Sequence, residues 1–498
     1  MTKRLSISSL LGAVALVAAF VVPGFAQIAP DGDEFLVNTY TTNGQILPDV
    51  AHIGAGQFVV VWTSYGPDGS SGGIAAQRFR ANGDLGGSEL VVNTYTTSGQ
   101  LQPAVDADAS GRFTVVWTNT ATQDGSEYGI FGQRYSATGG KRGSEFRVND
   151  FTTGTQWHPD VGVAADGTFV VVWEDEDGRD GSNDGIFGRR FANSGDALGA
   201  DFQVNSTTQR DQQYPSLSVA SDGSFVVAFT SLGKDNSAAS TESGIFARRF
   251  NSSGAALGNE IQVNVFTAGD QTLPDVAMQP SGGFVVVWQD HEQAGAPGIF
   301  GRLYDATGAP DGGEFDIPEN VGATKERPRV ATGSDGSFTV AWESSPQDGS
   351  SRGMFARRFA ADATPLSTEF QVNSFTAGSQ YQAAISNDGA DEVVVVWQSP
   401  QDGRADGIAG QRLATDAVVS GTCGDPISFA ASTAARAFSG AAVTASDALA
   451  TLQAAVGLLS CPLCVCDVNG SNTLSATDAL TILQFAVGQS ITLDCPAC

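Results

Sequence analysis

The chain of 498 residues carries 54 Asp and Glu against 26 Lys and Arg, a formal net charge of −28. Nucleic acid and anionic membrane surfaces repel such a polyanion, so neither is expected as a partner, whereas solubility and cation binding are favoured. Cys423, Cys461, Cys464, Cys466, Cys495 and Cys498 are the only cysteines and all lie near the C-terminus, which predicts a large thiol-free domain followed by a small thiol-rich one.

Residues 1–26 begin with Lys3 and Arg4, continue through an apolar run and end on Gly24-Phe25-Ala26 ahead of Gln27. This is the pattern of a cleaved secretory signal peptide, and its removal would take the net charge to −30. A secreted protein, extracellular or at the cell surface, is expected. No later stretch approaches the ~18 consecutive apolar residues of a spanning helix, so no membrane span is expected.

Residues 27–413 repeat one unit seven times. The phrase FVVVW or a variant ends at Trp62, Trp117, Trp173, Phe229, Trp288, Trp342 and Trp397. A second phrase, EFxVN, ends at Asn38, Asn93, Asn149, Asn205, Asn264, Pro318 and Asn373, and a third, GIFGxRF, begins at Ile74, Ile130, Ile186, Ile245, Ile299, Met354 and Ile408. Each unit reads as four short strands, with Asp-Gly turns such as Asp166-Gly167 marking the first hairpin. FVVVW is apolar at every position and must be covered on both faces, as in a sheet stacked between two like sheets. The expected architecture is an all-β seven-bladed β-propeller of four-stranded antiparallel blades, with an open β-solenoid as the alternative. The chain opens on an EFLVN strand and the last unit lacks one, so the N-terminal strand is expected to complete the last blade and close the ring. The phrases resemble the repeats of secreted bacterial propeller proteins, a likeness that implies the fold and supplies no biochemical role.

Two kinds of loop should share one face of such a ring. The first carries a Gln three residues before the Pro position, at Gln45, Gln100, Gln156, Gln212, Gln271 and Gln380, with Lys325 in the sixth unit. The residues between vary, giving Trp157-His158, Gln213-Tyr214 and Tyr381-Gln382. A constant frame with diversified tips can present a binding surface, so Trp157, His158, Tyr214 and Tyr381 are candidates for contact with a glycan or a protein. The Gln amides read more simply as ties between blades.

The second loop carries acids at Asp68, Asp124, Asp180, Asp235, Asp348 and Asp402, and in the third unit the run EDEDGRDGSND over residues 174–184. Clustered carboxylates suit Ca2+ or a basic partner. Asp-Gly-Ser more commonly makes turns through its side chain. Catalysis has little support: the Glu174-Asp175-Glu176-Asp177 run and residues 289–292 offer carboxylates without a distinguishing pattern, and His52, His158 and His291 are the only histidines.

After a linker at residues 414–422, residues 423–498 change to Ala, Leu, Cys and helical periodicity, with similar segments at 442–457 and 473–488. Asp467, Asn469, Ser471, Thr473, Ser475 and Asp478 place oxygens at positions 1, 3, 5, 7, 9 and 12 of an EF-hand-type loop. This duplicated loop and helix resembles a type I dockerin. The resemblance implies Ca2+ at those six residues and a cohesin-like partner contacting Ala476, Thr477, Ala445 and Ser446. The first copy has Arg436, Phe438 and Gly440 where oxygens belong, so one Ca2+ is expected. Three disulfides are favoured over a zinc site for the cysteines, in any of fifteen pairings.

The expected function is that of a secreted, non-catalytic binding protein. Its propeller would recognise a glycan or protein, and its dockerin-like module would attach it. The alternatives are a propeller glycoside hydrolase of polysaccharide breakdown and a structural cell-surface protein.

Overall fold

The computed structural model describes residues 28–415 apart from 67, 68, 70, 234–241, 293–296, 321, 390, 391, 404 and 405. The signal segment, the calcium loop, the partner-contacting residues and all six cysteines lie outside the described residues, as do Asp68 and Asp235. Residues Gln27–Thr415 form one compact unit.

Seven antiparallel sheets carry out the repeat. In the third, Gln156–Val163, Phe169–Asp175, Gly185–Phe191 and Phe202–Gln203 pair in sequence order. The first strand of each sheet packs against the first strands of both neighbouring sheets all the way round, so the sheets are blades of a closed ring with these strands innermost. Every residue of Phe58–Ser64, Phe113–Asn119, Phe169–Asp175 and Phe284–Asp290 is buried. Alternation divides each second strand between two seams: Val59 and Val61 join Trp117 of blade 2, while Val60 and Trp62 join Val394 and Val396 of blade 7. The repeated Trp is therefore inter-blade core, as its apolar setting predicts.

The ring closes with the N-terminus. Phe35–Leu36 pairs with Gly407–Thr415 in the last blade, and Ile28–Pro30 extends the same edge. Two devices repeat around the ring. The Asn ending EFxVN accepts a backbone N–H of its own blade and donates onward to the Gln opening the next, as Asn93 does with Ile74 and Gln100. The acid of the same phrase reaches the preceding loop: Glu145 accepts the N–H groups of Thr94 and Tyr95, and Glu34 those of Ser374 and Phe375. The Gln amides thus tie blades together. Gly188 is needed for close approach, because a Cβ there would lie 2.9 Å from the Phe202 ring.

Candidate functional site at the channel mouth

One backbone feature sets the tips of the inner strands. Leu47, Gln102, His158, Tyr214, Leu273, Arg327 and Gln382, one per blade, have φ between 48° and 57°. Non-glycine residues in this left-handed region cost roughly 1–3 kcal/mol and persist only where their surroundings hold them. Here they sit in a bulge, as the register shift between Trp157 and Asp160 shows, and a bulge re-aims side chains at the end of a strand.

In five blades the bulge is held by the residue that follows the core aromatic of the preceding blade, while in blade 3 the His158 N–H donates to Gln102 Oε1. Gln102 N–H donates to Thr63 Oγ1 at 3.1 Å, Tyr214 N–H to Glu174 Oε2 at 3.1 Å, Arg327 N–H to Gln289 Oε1 at 3.2 Å, Gln382 N–H to Glu343 Oε1 at 2.7 Å and Leu47 N–H to Gln398 Oε1 at 3.0 Å. Hydroxyls or amides fill this slot except in blades 3 and 6, where Glu174 and Glu343 place buried carboxylates, each 1% exposed.

Around Glu174 the structure gathers three of the four aromatic tips expected from sequence. The Trp157 and His158 rings stack with centroids 4.0 Å apart, and Tyr214 lies 5.4 Å from His158. His158 Nδ1 is 3.3 Å from Glu174 Oε2. Tyr381 stands apart on blade 7, where its hydroxyl donates to Asp406 Oδ2 at 2.7 Å.

The acidic run over residues 174–184 divides by role. Asp175 is buried 3.8 Å from Arg179, Asp177 accepts the Thr155 N–H, and Asp180 accepts from Ser182 N–H and Asn205 Nδ2. These are structural, as are Asp124 and Asp348, whose carboxylates accept the N–H groups of Ser126 and Ser350 within their turns. Glu174, Glu176 and Asp184 instead bring one carboxylate oxygen each to within 4.8 Å of one another. Burial, then repulsion from Asp184, Glu174 and Asp177, raises the Glu176 carboxyl. Asp184 is pushed up to about 6 by burial and by Glu174, Asp211 and Asp180, against a hydrogen bond from Gln213 Nε2. Sequence alternation offered a signal for part of this, since Glu174 and Glu176 are two residues apart at a strand end and share a face.

Beside the cluster, between blades 2 and 3, lies a groove of about 620 Å3. Its walls include Tyr95, Tyr128 and Trp157, the carboxylates of Glu127 and Glu176, and the hydroxyls of Thr97, Ser98, Thr120, Thr122 and Thr155. Sequence reasoning missed Tyr95, Glu127 and Tyr128, which stand in polar loops without periodicity. The three histidines do not converge: His52 bonds Ser386, and His291 lies beside Thr272 and Gln289.

Deeper in the channel a second level of acids lines the inner strands. Asp49, Asp160 and Asp275 accept backbone N–H groups of the next blade, from Val105, Leu217 and Val330, each at 2.7 Å. Burial raises Asp49 to about 6, Asp106 to about 7 and Asp160 to about 8, the last further lifted by Asp49 and Asp275. Asp275 is also raised by burial, but Arg329 opposes the rise.

These features define a closed seven-bladed propeller whose channel mouth carries an aromatic groove beside a carboxylate cluster. No protein-family model and no curated protein matches the chain. Solved structures with a similar fold include the α-L-arabinanase of Penicillium chrysogenum in complex with arabinobiose, at 15% identity over 64% of this chain and 94% of that one, TM-score 0.44. An ulvan lyase from a new family of polysaccharide lyases matches at 10% identity over 76% of this chain and 94% of its own, TM-score 0.49. The β-propeller domain of the Trilobed protease from Pyrococcus furiosus matches at 10% identity over 75% and 94%, TM-score 0.44. These likenesses are of propeller architecture and assign no chemistry. Among the described residues no helix is long and apolar enough to cross a membrane.

Proposed function

We propose that the propeller is the glycan-recognition part of an exported protein, taking a polysaccharide segment in the groove between blades 2 and 3. The supporting observation is the groove's make-up: three aromatic rings, two carboxylates and several hydroxyls around one open volume. Aromatic faces cover the apolar face of a sugar ring, while carboxylates and hydroxyls take its hydroxyl groups. Trp157 belongs to both groove and cluster, and its buried Nε1 has no partner. The test is affinity electrophoresis of the mature chain against a panel of neutral and acidic polysaccharides. Trp157→Ala should weaken binding to the retained polysaccharide at least tenfold at an unchanged melting temperature. Undiminished binding would refute the groove as the site.

A polysaccharide-cleaving enzyme is the second reading, favoured by Asp184. A carboxyl held near 6 beside Glu174, whose Oε2 lies 3.3 Å from His158 Nδ1, can exchange protons near neutrality. Release of reducing or unsaturated ends by the mature chain, abolished by Asp184→Asn, would establish this reading instead.

The same proposal assigns attachment to residues 423–498, with one Ca2+ at Asp467, Asn469, Ser471, Thr473, Ser475 and Asp478 and a cohesin-like partner at Ala445, Ser446, Ala476 and Thr477. Support for this part is the loop spacing in the sequence.

A further inference from the structure

We propose that Glu174, Glu176 and Asp184 form a second, independent divalent-cation site, at the mouth of the propeller channel, for a hard oxygen-seeking ion of the Ca2+ class. Three carboxylates with oxygens within 4.8 Å supply the donors. A cluster of acids alone would be unremarkable on so acidic a protein, and the decisive observation is Glu174 itself. Its side chain is 1% exposed, Oε2 takes the Tyr214 N–H and faces His158, and Oε1 is buried with no hydrogen-bond donor at all. A buried carboxylate oxygen without a donor is costly, and, apart from His158 and the Tyr214 N–H on Oε2, the polar neighbours that converge on Glu174 are carboxylates that increase the cost.

Among the described residues, no Lys or Arg forms an ion pair with any of the three. The equivalent slot of blade 6 supplies the contrast. Glu343 has both oxygens engaged, Oε1 by the Gln382 N–H at 2.7 Å and Oε2 by Arg352 Nη1 at 3.0 Å. Where blade 6 carries a guanidinium, blade 3 brings together two more carboxylates, the arrangement that a mobile cation completes. The donor set selects the ion: oxygen ligands alone suit Ca2+, Mg2+ or Mn2+ over softer metals, and Ca2+ tolerates irregular geometry best. Three carboxylates leave coordination positions for water or for ligand hydroxyls.

Terbium luminescence on the full mature chain, stripped of metal and without glycan, tests the site separately from the glycan reading. Tb3+ substitutes for Ca2+ and emits when a nearby Trp is excited. Trp157 adjoins the cluster, whereas residues 423–498 contain neither Trp nor Tyr. The titration is run in an Asp467→Ala background to silence the C-terminal loop. Saturable sensitised emission is expected, displaced by Ca2+ and weakened at least tenfold by Glu174→Gln and by Asp184→Asn. Asp184→Asn alters a partly exposed loop residue and guards against loss of fold in the buried variant. Trp157→Phe should reduce the emission while calorimetric Ca2+ binding persists. No sensitised emission from the folded protein, or emission unchanged by both carboxylate variants, would overturn the proposal.

Discussion

Blades 3 and 6 place a glutamate at the same point of the repeat, and its surroundings differ in sign. Glu343 is met by Arg352 and lies 3.9 Å from Arg327, whereas Glu174 is met by Glu176 and Asp184. The contrast recurs one level deeper, where Arg329 stands 3.9 Å from Asp275 while Asp160 is pressed upward by Asp49 and Asp275. The repeat thus fixes where a buried carboxylate points, and residues outside the repeated phrases decide whether it is neutralised by the protein itself. One side of the channel is internally compensated; the other is left acidic.

The largest expected consequence is in pH dependence. Asp160 keeps its proton in the folded state up to about pH 8, whereas an unfolded Asp loses it near 4. Between those values the folded chain binds a proton that the unfolded chain does not, so stability must fall as pH rises, by about 1.4 kcal/mol per pH unit for each such proton. Urea midpoints of residues 27–498 from pH 5 to 8 should therefore decline. Asp160→Asn should flatten the decline by close to one proton's worth, even if the lost acceptor for Leu217 N–H lowers stability at every pH. Asp275→Asn should flatten it less, because Arg329 already favours the ionised form. Equal flattening by both would break the distinction between the two sides.

The two glutamate slots should also respond oppositely to loss of charge. Arg352→Ala leaves Glu343 buried without its guanidinium. Breaking a fully buried pair costs ~3–5 kcal/mol, but Arg352 is 37% exposed and solvent screens part of the interaction, so ~1–2 kcal/mol is expected. Glu174→Gln, in metal-free buffer, should be neutral or stabilising. The amide oxygen can still accept the Tyr214 N–H, and its NH2 replaces the oxygen that has no donor. Similar losses for both variants in thermal melts would show that Glu174 is neutralised within the chain after all.

How much of this was legible follows from what each feature demands of the sequence. Phe169–Asp175 and its counterparts announce a strand covered on both faces, and seven of them with complementary ends announce a closed ring. The Gln ties were legible because they repeat. The left-handed residue in each bulge was not. In six blades it precedes a proline, a position normally extended, and it is held by a side chain about 40 or more residues away. Nor could the sequence say which acids of residues 174–184 converge, because Asp177 and Asp180 are claimed by Thr155 and Asn205 through contacts absent from the local pattern. The grouping of Trp157, His158 and Tyr214 was recoverable because the tips of adjacent blades meet. Arg352 and its role opposite Glu343 were invisible in a loop where other units carry nothing comparable.

The smallest expected effect concerns the fourth aromatic tip. Tyr381 has the same place in the repeat as Trp157, so position alone would make it equally a binding residue. Its hydroxyl is instead committed to Asp406, and burial with that hydrogen bond pushes the phenol up to about 12. A hydroxyl held by a carboxylate has less freedom to reorganise around a sugar, and its blade lies apart from the groove between blades 2 and 3. Tyr381→Phe removes one bond to a charged acceptor while leaving Asp406 beside solvent, so stability should drop by only ~1 kcal/mol. On the proposed glycan reading, affinity of residues 27–498 for a retained polysaccharide should change less than twofold, against the tenfold loss expected for Trp157→Ala. A comparable loss from both substitutions would extend the binding surface across the channel mouth to the arginine-compensated side, and recognition could no longer be assigned to the acidic side alone.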